Sequence, residues 1–307
     1  MENRRAITVI GAGLMGHGIA VVFAHAGHRV TVTDPDAASR ESLFARAATA
    51  LQAMGADEAA QEAALARIAV ADTLEKSVAE ADVVIEAAPE NLALKQRIFA
   101  DLEAAAPSTC LLASNTSVIP ITQIVINLKT RERALGTHWW NPPYMIPLVE
   151  VIRTEWTDEQ AMDAMTDLLR LVGKTPVRVE RDVPGFIGNR LQHALWREAI
   201  SLVEHGVCDA SAVDTVINNS FGRRLAVLGP LANADLVGTD LTLAIHRHVL
   251  SDLERSPEPS PYLEKLVEDG RLGMKSGQGF HHWTDADARA VRTRVNDHLS
   301  KLEGVLN

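Results

Sequence analysis

Cysteine is nearly absent. Cys110 and Cys208 are the two in the chain. They stand far apart and in no metal or redox spacing, so neither a disulfide framework nor a cysteine-held metal site organises this protein. Two free thiols fit a reducing compartment. Positive charge is also in deficit, with 30 Lys and Arg against 40 Asp and Glu and a net charge of −10. Such a surface repels phosphate backbones, which argues against nucleic acid and anionic membranes as partners. No apolar run is long enough to span a bilayer. The chain passes from Met1 through Arg4 and Arg5 straight into a strand pattern with no signal peptide, so cytoplasm is the expected location. There is no internal repeat. What remains is ordinary for a globular protein: 307 residues, 47% hydrophobic and 23% charged, enough for two domains with a sizeable core.

The first half alternates strands with helices. Short apolar runs at residues 7–10, 29–33, 82–86, 111–113 and 134–137 predict strands separated by helical stretches. This pattern predicts an α/β fold, a Rossmann-type doubly wound sheet covered on both faces. One connection, residues 35–81, is too long for a plain crossover. It is alanine-rich, breaks at Gly55 and reads as an inserted helical hairpin followed by a short strand at 68–70. Beyond Val183-Pro184-Gly185 amphipathic helices dominate. Ile187, Leu191, Leu195, Leu202 and Val203 share one helix face, and Thr284 suits the N-cap of a last helix. The expected boundary therefore lies at Asp182, with residues 1–182 forming an α/β domain and 183–307 an all-α domain.

Gly11-Ala12-Gly13-Leu14-Met15-Gly16 follows the first strand and opens a helix, the context a dinucleotide fingerprint requires. Gly11 permits the tight turn, Gly13 lets backbone approach a pyrophosphate, and Gly16 lets helix and strand pack closely. The helix N-terminus, through Leu14 and Met15, offers unpaired N–H groups to phosphate. Asp34 ends the second strand, where a carboxylate accepts hydrogen bonds from ribose hydroxyls. It would repel a 2′-phosphate, and no arginine adjoins it in sequence, so NAD is expected over NADP.

Ser114-Asn115-Thr116-Ser117 follows the strand at 111–113, on the sheet edge that faces a bound dinucleotide. These residues can either hydrogen-bond a ligand or cap the next turn. His138 ends another strand, beside Trp139, Trp140, Pro142 and Pro143. Oxidising an alcohol requires a group that takes the hydroxyl proton as hydride leaves carbon, and imidazole titrates in the right range. Glu150 lies within an apolar run, where an unpaired carboxylate is costly to bury. It either pairs with His138 and fixes the imidazole tautomer, or faces solvent on an edge strand. Asn189 either reaches back toward this segment or is an ordinary helix-surface amide.

Together these motifs resemble the L-3-hydroxyacyl-CoA dehydrogenase family. The matching stretches are GAGLMG from Gly11, EAAPENLALK from Glu86 to Lys95, SNTS ending at Ser117, GTHWWNPPYMIPLVEVI from Gly136, DVPGFIGNRL from Asp182 and GMKSGQGF from Gly273. The resemblance implies that His138 is the general acid/base and Glu150 orients it. It implies that Ser117 and Asn189 hold the reacting oxygen and help place the nicotinamide. Asn115, Glu90 and Lys95 are implied on the cofactor's side. The implied partners are a small-molecule substrate, a 3-hydroxyacyl-CoA, and a second copy of the chain in a homodimer.

The shared catalytic motifs make interconversion of a 3-hydroxyacyl-CoA and a 3-oxoacyl-CoA the expected reaction, and two departures raise the alternative of the same chemistry on a free small hydroxy acid or polar alcohol (gulonate-, carnitine- or pyridine-carboxylate-like). The inserted hairpin holds four basic residues (Arg40, Arg46, Arg67, Lys76) against eight acidic ones (Asp36, Glu41, Asp57, Glu58, Glu62, Asp72, Glu75, Glu80). That is a poor surface for coenzyme A phosphates. Trp139 and Trp140 replace the family's usual phenylalanines and are expected to reshape the pocket or stack on a flat or cationic substrate. Arg223 and Arg224 offer a carboxylate clamp or are a solvated pair.

Overall fold

A computed structural model describes residues 4–306. The chain runs β1 (Ala6–Ile10), α1 (Leu14–His25), β2 (Arg29–Thr33), α2 (Ala37–Glu41), α3 (Leu43–Ala53), α4 (Glu58–Leu65), β3 (Ile68–Val70), α5 (Leu74–Val78), β4 (Val83–Glu86), α6 (Leu92–Ala105) and β5 (Leu111–Ser114). Then come α7 (Ile121–Val125), β6 (Ala134–Trp139), β7 (Leu148–Ile152), α8 (Glu159–Leu171) and β8 (Thr175–Val179). The helices α9 (Gly188–Glu204), α10 (Ala210–Asn219), α11 (Pro230–Val237), α12 (Thr239–Val249), α13 (Pro261–Glu268) and α14 (Asp285–Leu306) complete it. None of the described helices is long and apolar enough to cross a membrane.

One eight-stranded sheet has the order β3-β2-β1-β4-β5-β6-β7-β8. All pairs are parallel except β6 with β7. This is the doubly wound sheet the alternation predicts, and its winding reverses between β1 and β4. Ligands of such sheets bind at the carboxyl ends of the strands beside that reversal. β4 and β6 are buried at every residue, as strands covered on both faces must be. α1 is buried from Gly16 to Ala24 because it lies between the sheet and the inserted hairpin of α3 and α4. Gly55 turns that hairpin with φ +76°, a conformation glycine adopts without strain.

β7 follows β6 after a short connection and so can only return antiparallel. Its register places Thr137 opposite Val151, His138 opposite Glu150 and Trp139 opposite Val149. β8 extends the sheet to its edge and carries Pro176, which an edge strand tolerates.

The chain divides into two compact units, one reaching Arg190 and including the segment from Leu299, the other Leu191–His298. The division falls after the expected boundary at Asp182. The start of α9 stays with the first unit because its amides bond to that unit's side chains, as described below. The first unit holds almost the whole core. Between Leu191 and His298 the buried hydrophobic residues are Leu266 and Ala288.

Candidate active site

The glycine turn has the geometry a dinucleotide requires. Gly11 has φ +103° and donates its N–H to the Thr33 carbonyl at 2.7 Å. A Cβ on Gly16 would collide with the Gly11 carbonyl oxygen, whereas one on Gly13 would enter open space. That open space lies before the N-terminus of α1, which has no side-chain cap and no acid in its first turn. Leu14 is 66% exposed there. Uncapped N–H groups facing an open cradle suit the pyrophosphate of NAD. Asp34 accepts the N–H of Ala12 at 2.7 Å and of Asp36 at 2.8 Å, so the same carboxylate that suits a ribose also frames the turn.

Two arginines from the insertion meet this turn. Arg40 donates to the carbonyls of Asp34 and Pro35, so an arginine does lie beside Asp34, brought there by the short helix α2. Its charge is directed at backbone carbonyls. Arg46 on α3 reaches back to the carbonyls of Ala12 at 2.6 Å, Gly13 at 3.1 Å and Ser39 at 2.8 Å. His17 lies against the same group. Burial pushes its pKa down, against a hydrogen bond that its Nδ1 donates to the Gly13 carbonyl, which raises it, and the Arg46 charge adds to the lowering.

At the end of β6 the cross-strand register brings His138 and Glu150 together. Nδ1 of His138 lies 2.7 Å from Oε2 of Glu150, and both side chains are buried. A carboxylate only accepts, so Nδ1 carries the proton and Nε2 presents its lone pair. Nε2 has no hydrogen-bond partner among the described residues. Oε1 of Glu150 accepts the N–H groups of Ile187 at 2.9 Å and Gly188 at 3.0 Å. Burial pushes the Glu150 pKa up, but the His138 hydrogen bond and these two N–H groups outweigh it, and the net shift is downward. The N–H groups are aimed by a tight turn in which Gly185 has φ +74° and Phe186 φ +51°. A left-handed phenylalanine costs of order 1–3 kcal/mol. Its ring packs 5.6 Å from that of His138.

Trp140 packs on the other side, its ring 5.3 Å from His138 and close enough to Gly188 that a Cβ there would collide with it. Trp139 does not line this site. It is buried on the opposite face of β6 against Phe23, 5.8 Å between rings. Successive strand residues point to opposite faces, which sends Trp139 away and returns Trp140 to the histidine.

The turn after β5 is bound on all sides. Asn115 accepts the Trp139 N–H at 2.9 Å, tying the ends of β5 and β6. Glu90 accepts from the Thr116 hydroxyl at 2.5 Å and the N–H groups of Ser117 at 2.9 Å and Val118 at 3.1 Å. Burial pushes its pKa up, yet these bonds and the Lys95 charge bring it down overall. Ser117 itself is exposed, and its hydroxyl has no protein partner among the described residues. Its carbonyl accepts Nδ2 of Asn189 at 2.8 Å. Gly188 thus grips Glu150 while its neighbour Asn189 grips Ser117, which joins the four sequence-predicted catalytic residues into one connected group.

Lys95, implied on the cofactor's side, is held by protein groups. It is 0% exposed and its Nζ is taken by Glu86 at 2.7 Å, the Ala88 carbonyl at 3.1 Å and Glu90 at 3.5 Å. Glu86, Thr116 and Arg46 are contributors that sequence reading passed over. Glu86 left one signal, an acid closing the apolar run Val83-Val84-Ile85. Arg223 and Arg224 lie exposed on a short turn of the second unit.

Comparison with known proteins agrees with this geometry. Residues 6–183 match the family model for the 3-hydroxyacyl-CoA dehydrogenase NAD binding domain, and residues 185–283 match that for the C-terminal domain. The chain is 36% identical over 305 residues to 5-formyl-3-hydroxy-2-methylpyridine 4-carboxylate 5-dehydrogenase of Mesorhizobium japonicum, covering 98% of each. It is 35% identical over 292 residues to the human mitochondrial hydroxyacyl-coenzyme A dehydrogenase, covering 90% of each. Among solved structures, 5-formyl-3-hydroxy-2-methylpyridine 4-carboxylic acid 5-dehydrogenase, described as an NAD+ dependent dismutase, superposes with a TM-score of 0.91 at 34% identity over 99% of each chain. The chain belongs to the 3-hydroxyacyl-CoA dehydrogenase family and is an NAD-dependent dehydrogenase that acts on a hydroxyl group.

Proposed function

We propose that this protein oxidises a carbon-bound hydroxyl, or reduces the matching ketone or aldehyde, of a small substrate that carries no coenzyme A. The observation that carries the chemistry is the buried His138–Glu150 pair with Nε2 left open. NAD, when bound, supplies the hydride acceptor. Gly11, Gly13, Leu14, Met15 and Gly16 hold its pyrophosphate, Asp34 its ribose, and Asn115 and Glu90 frame its nicotinamide end. His138 Nε2 takes the hydroxyl proton. Glu150 stabilises the imidazolium that results. The Ser117 hydroxyl and the Asn189 amide position the reacting oxygen.

The side chains of the insertion support the substrate class. Arg40, Arg46 and Arg67 all turn inward onto backbone carbonyls, Arg67 onto that of Ala24. Three of the insertion's four basic residues are therefore committed to backbone carbonyls, which further weakens this surface for coenzyme A phosphates. The end-to-end match with a pyridine carboxylate dehydrogenase agrees. A substrate panel followed at the NADH absorbance tests this. Turnover of a hydroxylated or formylated pyridine carboxylate, carnitine or gulonate, well above that of acetoacetyl-CoA, is expected. Efficient, salt-weakened NADH oxidation with acetoacetyl-CoA alone would restore the coenzyme A reading.

The working form is proposed to be a homodimer in the cytoplasm. The second unit buries only Leu266 and Ala288 among its hydrophobic residues, while Val227, Leu231 and Leu236 stand more than two-thirds exposed. A helical unit without its own core requires a covering surface. Light scattering should give twice 33.3 kDa. A monodisperse monomer would sink this assignment.

A further inference from the structure

We infer that Trp140 is a positioning residue whose indole sets how far the first turn of α9 stands from His138, and so whether that turn reaches Glu150 and Ser117. This inference rests on the roles assigned above to His138, Glu150 and Ser117. Three consecutive residues at the start of α9 hold the site. Ile187 and Gly188 give their N–H groups to Oε1 of Glu150 at 2.9 and 3.0 Å. Asn189 gives Nδ2 to the Ser117 carbonyl at 2.8 Å. The indole of Trp140 meets both this turn and the imidazole, with its ring 5.3 Å from that of His138. A Cβ on Gly188 would collide with Cζ2 of Trp140 and crowd Cε2 and Cη2. These atoms belong to the six-membered ring of the indole, which projects further than a phenyl ring. Gly188 does not have a positive φ, so space rather than backbone conformation requires glycine there. Two local rules are broken at this one contact. Glycine weakens a helix that alanine would favour, yet α9 begins with it. Nε1 of Trp140 is sealed from solvent and has no hydrogen-bond partner among the described residues, where phenylalanine would leave no donor unpaired. Alanine against a smaller ring would avoid both penalties. What the tryptophan–glycine contact adds is a rigid, flat spacer between the acid/base and the backbone that grips its partner carboxylate.

A compensating pair of substitutions tests the spacing, with turnover measured on the fastest substrate of the panel above. Gly188→Ala should force the first turn of α9 away from the ring and lower kcat by about 10²-fold, the size of effect a misplacement of about 1 Å produces. The acid limb of kcat/KM against pH should also move upward. The N–H groups of Ile187 and Gly188 help hold the Glu150 pKa down. Without them the carboxylate is more basic, and the His138–Glu150 pair takes up its proton at higher pH. A merely structural lesion would leave that limb in place. Adding Trp140→Phe makes room for the new methyl group. It should raise kcat by about tenfold or more over Gly188→Ala and return the acid limb to its wild-type position. Wild-type kcat and pH profile in Gly188→Ala would overturn the proposal, and so would a double variant that shows no such recovery. If Gly188→Ala alone does not fold, the double variant decides the matter. A folded double variant with kcat within about tenfold of wild type and an unmoved acid limb supports the spacing role, and any lesser result overturns it. His138→Ala is the control for the underlying reading. Wild-type turnover there removes the acid/base itself. Lost turnover there beside an unrescued Gly188→Ala removes only the spacing role of Trp140.

Discussion

His138 with Glu150 and Lys95 with Glu86 are two buried charge pairs at the carboxyl edge of one sheet. Both contacts measure 2.7 Å. They differ in what is left over. Lys95 has its partners in buried Glu86, in Glu90 and in the Ala88 carbonyl, all groups of the protein itself. His138 uses one nitrogen for Glu150 and keeps the other open. A buried pair with every polar atom satisfied holds structure, whereas a pair with one unsatisfied atom at a strand end can exchange a proton with a ligand. Burial and ionisability alone would not have told them apart.

The largest expected effect breaks the open pair. His138→Ala should lower kcat by about 10²–10⁴-fold, the range for loss of a general acid/base. NAD affinity should stay near normal, because the glycine turn and Asp34 lie on other strands. Stopped-flow turnover together with titration of NAD binding checks both halves. Wild-type turnover in this variant would remove the proposed mechanism, and lost NAD binding would move His138 into the cofactor site.

A smaller effect is expected where the insertion meets the glycine turn. Arg46 holds three carbonyl oxygens from Ala12, Gly13 and Ser39. Hydrogen bonds from a charged donor are worth about 1.5–3 kcal/mol. Arg46→Ala should therefore raise the KM for NAD by about tenfold, since 1.4 kcal/mol is a factor of ten. Turnover at saturating NAD should hold. This is the reverse of the split expected for His138→Ala, so the two variants together locate cofactor binding and proton transfer in different parts of the edge. Equal falls in kcat for both would collapse that distinction.

Much of this was legible in the sequence, and the rest has identifiable reasons. Strands covered on both faces appear as continuous apolar runs, so β1, β4, β5 and β6 could be read directly. β8 could not, because Thr175-Pro176-Val177-Arg178-Val179 lies at an edge with its side chains alternately exposed. The link from His138 to Glu150 was visible as one of two alternatives, because a carboxylate inside an apolar run needs a partner to be buried, and the antiparallel register that sets the two opposite each other decides between them. The inward turn of Lys95 was not, since a lysine on a helix ordinarily extends to solvent. Arg46 reaches the glycine turn across 34 residues, a contact with no local signature. The opposite fates of Trp139 and Trp140 follow from the two-residue strand period.

The smallest expected effect concerns stability. Glu150 has its pKa lowered below the ordinary carboxylate value of 4.5. A carboxylate more acidic folded than unfolded contributes stability above the unfolded pKa, and that contribution disappears as pH falls through the folded pKa. Glu150→Gln cannot titrate at this position, though it keeps the shape of the side chain. Wild type should exceed the variant by about 1–3 kcal/mol near neutrality, the cost of weakening hydrogen bonds that converge on a charged oxygen. The gap should hold down to about pH 5 and narrow as the pH drops below 4.5. Urea unfolding across this range measures it. A gap that widens toward acid would mean that Glu150 is protonated in the resting fold, and with it His138 would lose the anion that fixes its tautomer.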